Sequence, residues 1–261
     1  MKIFDTHAHY DDDRFDEDRE ELLIKLKENG VQHFVNVASS VESIDSTLKL
    51  VTEHPESYAA LGIHPSDIKG INEKIMEYIK EKILSFDRCV AVGEIGLDYY
   101  WGEEAERADQ KKWFIRQLEL AREVKLPVII HSRDAAEDTF NIMKDNHAEE
   151  IGGVVHCFSY SKEMAKEYVK MGLFIGIGGV VTFKNAKKVV EVVKEIPLES
   201  IVLETDCPYL TPSPYRGERN SSVYLPYVAE KIAEIKGISA DEVYDVTYKN
   251  ALKLYRLKEG A

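Results

Sequence analysis

Short apolar runs and longer amphipathic stretches succeed one another eight times along the chain. That rhythm restricts the fold more than any other feature of the sequence. The strand-like runs are Lys2–His7, His33–Val37, Tyr58–Ile63, Cys89–Ile95, Pro127–His131, Gly153–Cys157, Leu173–Ile177 and Ile201–Thr205. The stretches between predict helices over Glu17–Glu28, Val41–Glu53, Glu73–Leu84, Ala105–Val124, Ala135–Asp145, Lys162–Lys170, Ala186–Glu195 and Val223–Lys236. A ninth helix, about Ala240–Leu257, closes the chain. Such alternation argues a parallel sheet with crossover helices. Most strand runs are apolar throughout, as expected when both faces are buried.

Two parallel architectures compete. A doubly wound open sheet brings its chemistry to one switch point, usually behind a Gly-rich first turn. No such turn follows the first strand here. Polar residues instead end strands one, four, five, six and eight, and they converge only if the sheet closes. The expected fold is therefore α/β: a single (β/α)8 barrel over residues 1–261 with an extra C-terminal helix. With 44% hydrophobic residues the chain can bury a large core. A formal net charge of -13 argues against a general nucleic-acid-coating role, which needs a basic face. It leaves room for phosphate held locally by metal ions. Cys89, Cys157 and Cys207 cannot form a closed disulfide framework and read as small buried hydrophobes, with Cys157 pointing towards the helix layer. No apolar run reaches membrane-spanning length, and the N-terminus enters the first strand at once. The expectation is a cytoplasmic protein with no membrane association and no obligate protein partner.

The chemistry gathers at strand ends. In Asp5-Thr6-His7-Ala8-His9 the period of two puts His7 and His9 on one face, with Asp5 behind them and placed to support them. Two adjacent imidazoles are half of a divalent-metal site. Glu94 is a lone acid inside the apolar run Val92–Leu97, and a buried carboxylate is expensive unless paired or on a metal. One such carboxylate can bridge two cations; a structural salt bridge is the other reading. His131 ends strand five and His156 ends strand six, a second imidazole pair. Asp206 sits at the tip of strand eight, where it can bind metal and take a proton from water. Glu204, one layer deeper, could hold a ligand histidine in its tautomer, and it stands with His64, Arg133 and Arg219 as a substrate-binding candidate. His64, leaving strand three, suits an outer-sphere or phosphate role. Arg133 shares a face with His131 and suits a phosphate oxygen, or equally pairs with Asp134 or Glu137. The glycines at Gly176, Gly178 and Gly179 allow a close approach to strand seven. The long loop Cys207–Ser222 reads as an active-site wall. The constellation His7, His9, Glu94, His131, His156 and Asp206 suits two divalent ions such as zinc or manganese better than calcium. Hydrolysis by an activated water follows.

The stretches DTHAHY from Asp5, GIHP from Gly62, GEIGLDY from Gly93, HSR from His131, HCFS from His156 and ETDCPYL from Glu204 resemble the TatD family of metal-dependent deoxyribonucleases. PYRGERN from Pro214 and the closing Asn250-Ala251-Leu252 add to the match, which runs from the first strand to the last helix. The resemblance implies a TIM barrel and a binuclear site (Mg, Mn or Zn) at the six positions above. It further implies cleavage of DNA phosphodiester bonds, often from the 3′ end, on a single strand or strand end. On that reading Asp206 accepts the proton and Glu94 bridges. His64, Arg133 and the Arg216–Arg219 loop contact phosphate. Tyr99, Tyr100 and Trp101 could stack on bases. The alternative is a binuclear-metal hydrolase acting on another small ester or amide; Glu94, standing where many such relatives carry a carboxylated lysine, argues against cyclic amides.

Overall fold

The computed structural model describes residues 1–101 and 103–258. The strands are β1 (Ile3–Ala8), β2 (Val31–Val37), β3 (Ser57–Leu61), β4 (Cys89–Asp98), β5 (Val128–Arg133), β6 (Gly153–Val155), β7 (Phe174–Ile177) and β8 (Ile201–Leu203). All are parallel and neighbour one another in chain order. The helices are α1 (Arg19–Glu28), α2 (Val41–Glu53), α3 (Glu73–Ser85), α4 (Arg107–Val124), α5 (Ala136–Asp145), α6 (Ala148–Ile151), α7 (Lys162–Lys170), α8 (Lys187–Glu195), α9 (Leu225–Lys236) and α10 (Ala240–Leu254). Short α6 and a set of 3-10 turns were not foreseen, because four-residue turns leave no periodic signal.

The ring closes between β8 and β1. Ala8 bridges Cys207, the Asp206 N–H donates to the His7 carbonyl at 2.9 Å, and the His9 N–H donates to Cys207 at 3.0 Å. Asp5 locks the seam: its carboxylate accepts from the Thr205 amide, the Thr205 hydroxyl and the Ser222 hydroxyl. The expected alternating architecture is therefore a TIM barrel, as anticipated. Among the described residues, no helix is long and apolar enough to cross a membrane.

Strand ends differ from expectation in an informative way. β4 and β5 run on to Asp98 and Arg133, still paired beyond the core through Gly96 with His131 and Asp98 with Arg133. Gly96 is needed there: its φ is +147° and a Cβ would fall 1.9 Å from the His131 carbonyl oxygen. β6 and β8 instead stop early, at Val155 and Leu203. Cys157 and Asp206 follow with φ of +44° and +55°, so the period-two rule no longer orients them. Cys157 thus leaves the strand pattern that was to face it outward; its amide donates to Glu204 Oε1. Cys89 and Cys207 are buried, as expected.

Two apolar layers result. One packs the outer strand faces against the helices. The other fills the barrel interior and its floor with Phe4, Val35, Tyr58, Ile129, Phe174 and Val202, closed by Tyr248, Leu252 and Tyr255 from α10 and its end. α10 is anchored across the N-terminal end of β8, where the Asn250 side chain donates to the Leu198 and Ile201 carbonyls.

Candidate metal centre

Each of the six ligand candidates reaches the open, C-terminal end of the barrel. His7 Nε2 lies 3.1 Å from His9 Nε2, 3.4 Å from Glu94 Oε2 and 3.7 Å from Asp206 Oδ1. His9 Nε2 lies 3.4 Å from the same Asp206 oxygen. The other carboxylate oxygen of Glu94, Oε1, is 2.7 Å from His131 Nδ1 and 2.6 Å from His156 Nε2. Glu94 therefore turns one oxygen to each imidazole pair. The rings of His7 and His156 stack at 4.1 Å, which brings the two groups side by side.

Donor chemistry tests whether these residues fit cations. His9 Nδ1 donates to the Val37 carbonyl at 2.7 Å, so in the neutral ring Nε2 is a bare lone pair facing a carboxylate. His131 lies between two carboxylates, its Nε2 3.1 Å from Asp98 Oδ2 and its Nδ1 2.7 Å from Glu94 Oε1, so in either neutral tautomer one nitrogen is a bare lone pair facing a carboxylate. Acceptor faces acceptor at both places, and only positive charge between them relieves that. Acidities agree. Burial pulls the His156 and His9 imidazoliums down, yet Glu94 beside one and Asp206 beside the other push them up to about 10 and about 9. Burial and the charge on His156 take His7 down to about 4. Burial opposes ionisation of Glu94, but His156, His7 and His131 hold its carboxyl well below the usual range. The set of imidazole nitrogens and carboxylate oxygens fits zinc-like or manganese-like ions.

The remaining candidates divide. His64 is brought alongside, its Nε2 3.9 Å from Glu94 Oε1 and its ring 4.3 Å from His131. Its Nδ1 accepts from the Ser66 amide, so the neutral ring points an Nε2–H into the mouth. Burial holds it neutral, at about 4. Arg133 pairs with neither Asp134 nor Glu137; its guanidinium lies 3.9 Å from the Tyr100 ring centroid and 5.7 Å from that of Trp101. Tyr99 is engaged elsewhere, donating to Asp138 at 2.6 Å.

Three expectations need correction. Arg219 does not reach the centre: it donates to Asp18 and to the Arg14 carbonyl, tying the wall loop to the turn after β1. Arg216 likewise lies over Phe183. Glu204 is 1% exposed, too deep for substrate, and burial pushes its carboxyl up to about 8. Gly176 makes room for it, since a Cβ there would fall 2.2 Å from Glu204 Oε2. Asp5 supports the His7 backbone amide and the seam rather than either ring, and His7 Nδ1 has no hydrogen-bond partner.

Asp98 was not foreseen. It orients His131 through Oδ2, while Oδ1 accepts from the Tyr100 and Trp101 amides. A signal existed: Asp98 stands four residues after Glu94, on the same face if the strand continues.

The family model described as TatD related DNase matches residues 4–256. This chain belongs to the TatD family. It is 45% identical to an uncharacterized metal-dependent hydrolase, YabD, of Bacillus subtilis, covering 98% of this chain and 99% of that one. It is 32% identical to the metal-dependent hydrolase TatD of Mycobacterium tuberculosis over 98% of each chain. The crystal structure of the TatD homolog YjjV from Escherichia coli superposes with a TM-score of 0.92 at 32% identity, covering 98% of both chains. Like its TatD relatives, the protein is a metal-dependent hydrolase of TIM-barrel fold.

Proposed function

We propose that this TatD-family hydrolase cleaves phosphodiester bonds of DNA, acting from the 3′ end of a single strand, with two divalent ions. The split carboxylate of Glu94 carries the reading: it turns one oxygen to each imidazole pair, as a bridge between two ions clamping a phosphoester would. His7, His9, Asp206 and Glu94 Oε2 would hold one ion; Glu94 Oε1, His131 and His156 would hold the other. Ions bound there supply Lewis acidity that acidifies a water and offsets phosphate charge.

The chain's own groups do the rest. Asp206, at the rim with its side chain 19% exposed, receives the proton of the attacking water. The His64 Nε2–H, 3.9 Å from the Glu94 carboxylate, and the Arg133 guanidinium would contact phosphate oxygens. Asp98 keeps His131 in the tautomer that presents Nδ1. The low exposure of His7, Glu94 and His156 keeps bulk water from competing at the bond being broken.

The test is cleavage of 5′-labelled single-stranded oligonucleotides by chelator-treated protein, with Mg²⁺, Mn²⁺ or Zn²⁺ restored singly and with free or blocked 3′ ends. Expected are silence without metal, recovery with at least one ion, and shortening only from a free 3′ end. Full activity without metal would overturn the proposal. So would turnover of lactones or amides with no DNA cleavage under any ion, which would favour a different ester or amide as substrate.

A further inference from the structure

Among the described residues, seven large hydrophobic side chains are exposed: Met1, Ile24, Leu84, Tyr100, Trp101, Tyr209 and Leu210. Four of these lie on two loops at the mouth. Tyr100 and Trp101 follow β4, 54% and 68% exposed; Tyr209 and Leu210 follow β8, with Tyr209 50% exposed. An arginine from a neighbouring element, the end of β5 or the turn after β1, covers one aromatic ring of each loop. Arg133 lies over Tyr100 at 3.9 Å, and Arg14 lies over Tyr209 at 4.2 Å. A guanidinium on one face braces a ring and leaves its other face to a ligand.

The ring order places these loops. Counting either way round the eight strands, β4 lies four steps from β8. The two aromatic patches therefore stand on opposite walls, with Glu94 of β4 and Asp206 beyond β8 between them. Their anchoring ties them to the centre: the Tyr100 and Trp101 amides donate to Asp98, which holds His131, and the Tyr209 amide donates to the Asp206 carbonyl at 2.9 Å.

Charge narrows the occupant. Arg14 is neutralised by a paired hydrogen bond to Asp12, so the Tyr209 wall offers stacking without net charge. No carboxylate of the described residues lies within ion-pair distance of Arg133, so the Trp101 wall offers stacking plus one free cation. A chain of net charge -13 repels a polyanion elsewhere, and paired bases in a duplex have no face to give.

Resting on the phosphodiester reading above, we infer that the mouth carries two base-stacking platforms, Tyr100–Trp101 with Arg133 on one wall and Tyr209 with Arg14 on the other. Each holds an unpaired base of a single strand, one on either side of the scissile phosphate. Stacking on such rings tolerates any base, so the platforms select unpaired strands rather than sequence.

The experiment compares Trp101→Leu, Tyr209→Leu and the double variant with the unaltered enzyme. The substrates are a twelve-thymidine strand and an abasic strand of the same length and charge. Both side chains are exposed, so folding survives; circular dichroism checks this. Each single variant is expected to raise KM on the thymidine strand about tenfold, with the double variant near the product, and the loss shrinks on the abasic strand. Anisotropy of a labelled, cleavage-resistant thymidine strand is expected to show the same order of weakening. Equal losses on both strands, or none, would overturn the platforms. If no phosphodiester is cleaved by the unaltered enzyme, the proposed function fails instead, and anisotropy still decides the platforms.

Discussion

The two ends of this barrel are built from the same eight strands and obey opposite rules. At the floor, the first inward residues of the strands are apolar: Phe4, Tyr58 and Phe174 pack with Tyr248 and Tyr255. The Phe4 ring lies 6.0 Å from Tyr58 and 5.8 Å from Tyr255, an aromatic plug. At the mouth, three residues further along the first strand, His7 is as buried as Phe4 but sits among charges. The floor stabilises the fold by removing apolar area from water. The mouth pays desolvation to hold carboxylates and imidazoles together, and a cation can return that energy only when bound. Apolar packing and the candidate metal centre thus lie at opposite ends of the same strands.

Mutations at each end can break this division. The largest expected effect is Glu94→Gln, which removes one charged bridge from both imidazole pairs. Hydrolysis is expected to fall on the order of a thousandfold or more, as when a member of a catalytic unit is lost. The Tm of the metal-free protein is expected to move only a few degrees, and the rise in Tm on adding metal to be lost. A variant that stays active, or one that unfolds, would join what is separated here.

The converse substitution is Phe4→Ala at the floor. It should cost about 3–5 kcal/mol, lowering Tm by roughly 10 °C, while turnover per folded molecule below the transition stays within a few-fold of normal. Denaturant melts and rates at low temperature read both quantities.

Asp98→Asn sharpens the mouth side. The amide keeps an oxygen for the Tyr100 and Trp101 N–H groups, but a misplaced NH2 can no longer accept from His131. Metal affinity, measured by titration with Co²⁺ or Mn²⁺, should fall about 10–100-fold, with little change in metal-free stability. Unchanged affinity would mean that His131 needs no orienting partner.

The smallest effect belongs to the rim. Arg219 holds the Asp18 carboxyl below its ordinary value, so the native state binds fewer protons than the unfolded chain in that acid window. The stabilisation is present above about pH 3.9 and is lost as pH falls through the depressed native value. The pair is partly exposed, so Asp18→Asn should cost only ~0.2–1 kcal/mol at neutral pH, and the difference should vanish in acid. A Tm series from neutral to acid pH checks it.

Strand–helix alternation, the barrel class and the gathering of His7, His9, Glu94, His131, His156 and Asp206 at one end were legible in the sequence. The alternation, the barrel class and the places of His7, His9, Glu94 and His131 follow from local periodicity plus the rule that parallel strands aim their C-terminal ends one way. The departures occur where periodicity stops. β6 and β8 end before His156 and Asp206, so their convergence rests on backbone turns rather than on alternation. Glu204 and Arg219 looked available because their motifs lie near the centre in sequence; burial took one and Asp18 the other.

The order of strands and the type of every candidate ligand are properties the sequence determines alone, because they are set by neighbours a few residues apart. Tertiary structure decided which nitrogen of each histidine faces the centre. Val37 commits His9 Nδ1 from another strand, and Asp98 commits His131 Nε2. It also decided that α10 would seal the floor, with the Tyr255 hydroxyl reaching the Thr6 carbonyl at 2.7 Å. Partners so far apart in the chain leave no local periodic trace, and only closure of the ring brings them within a hydrogen bond of one another.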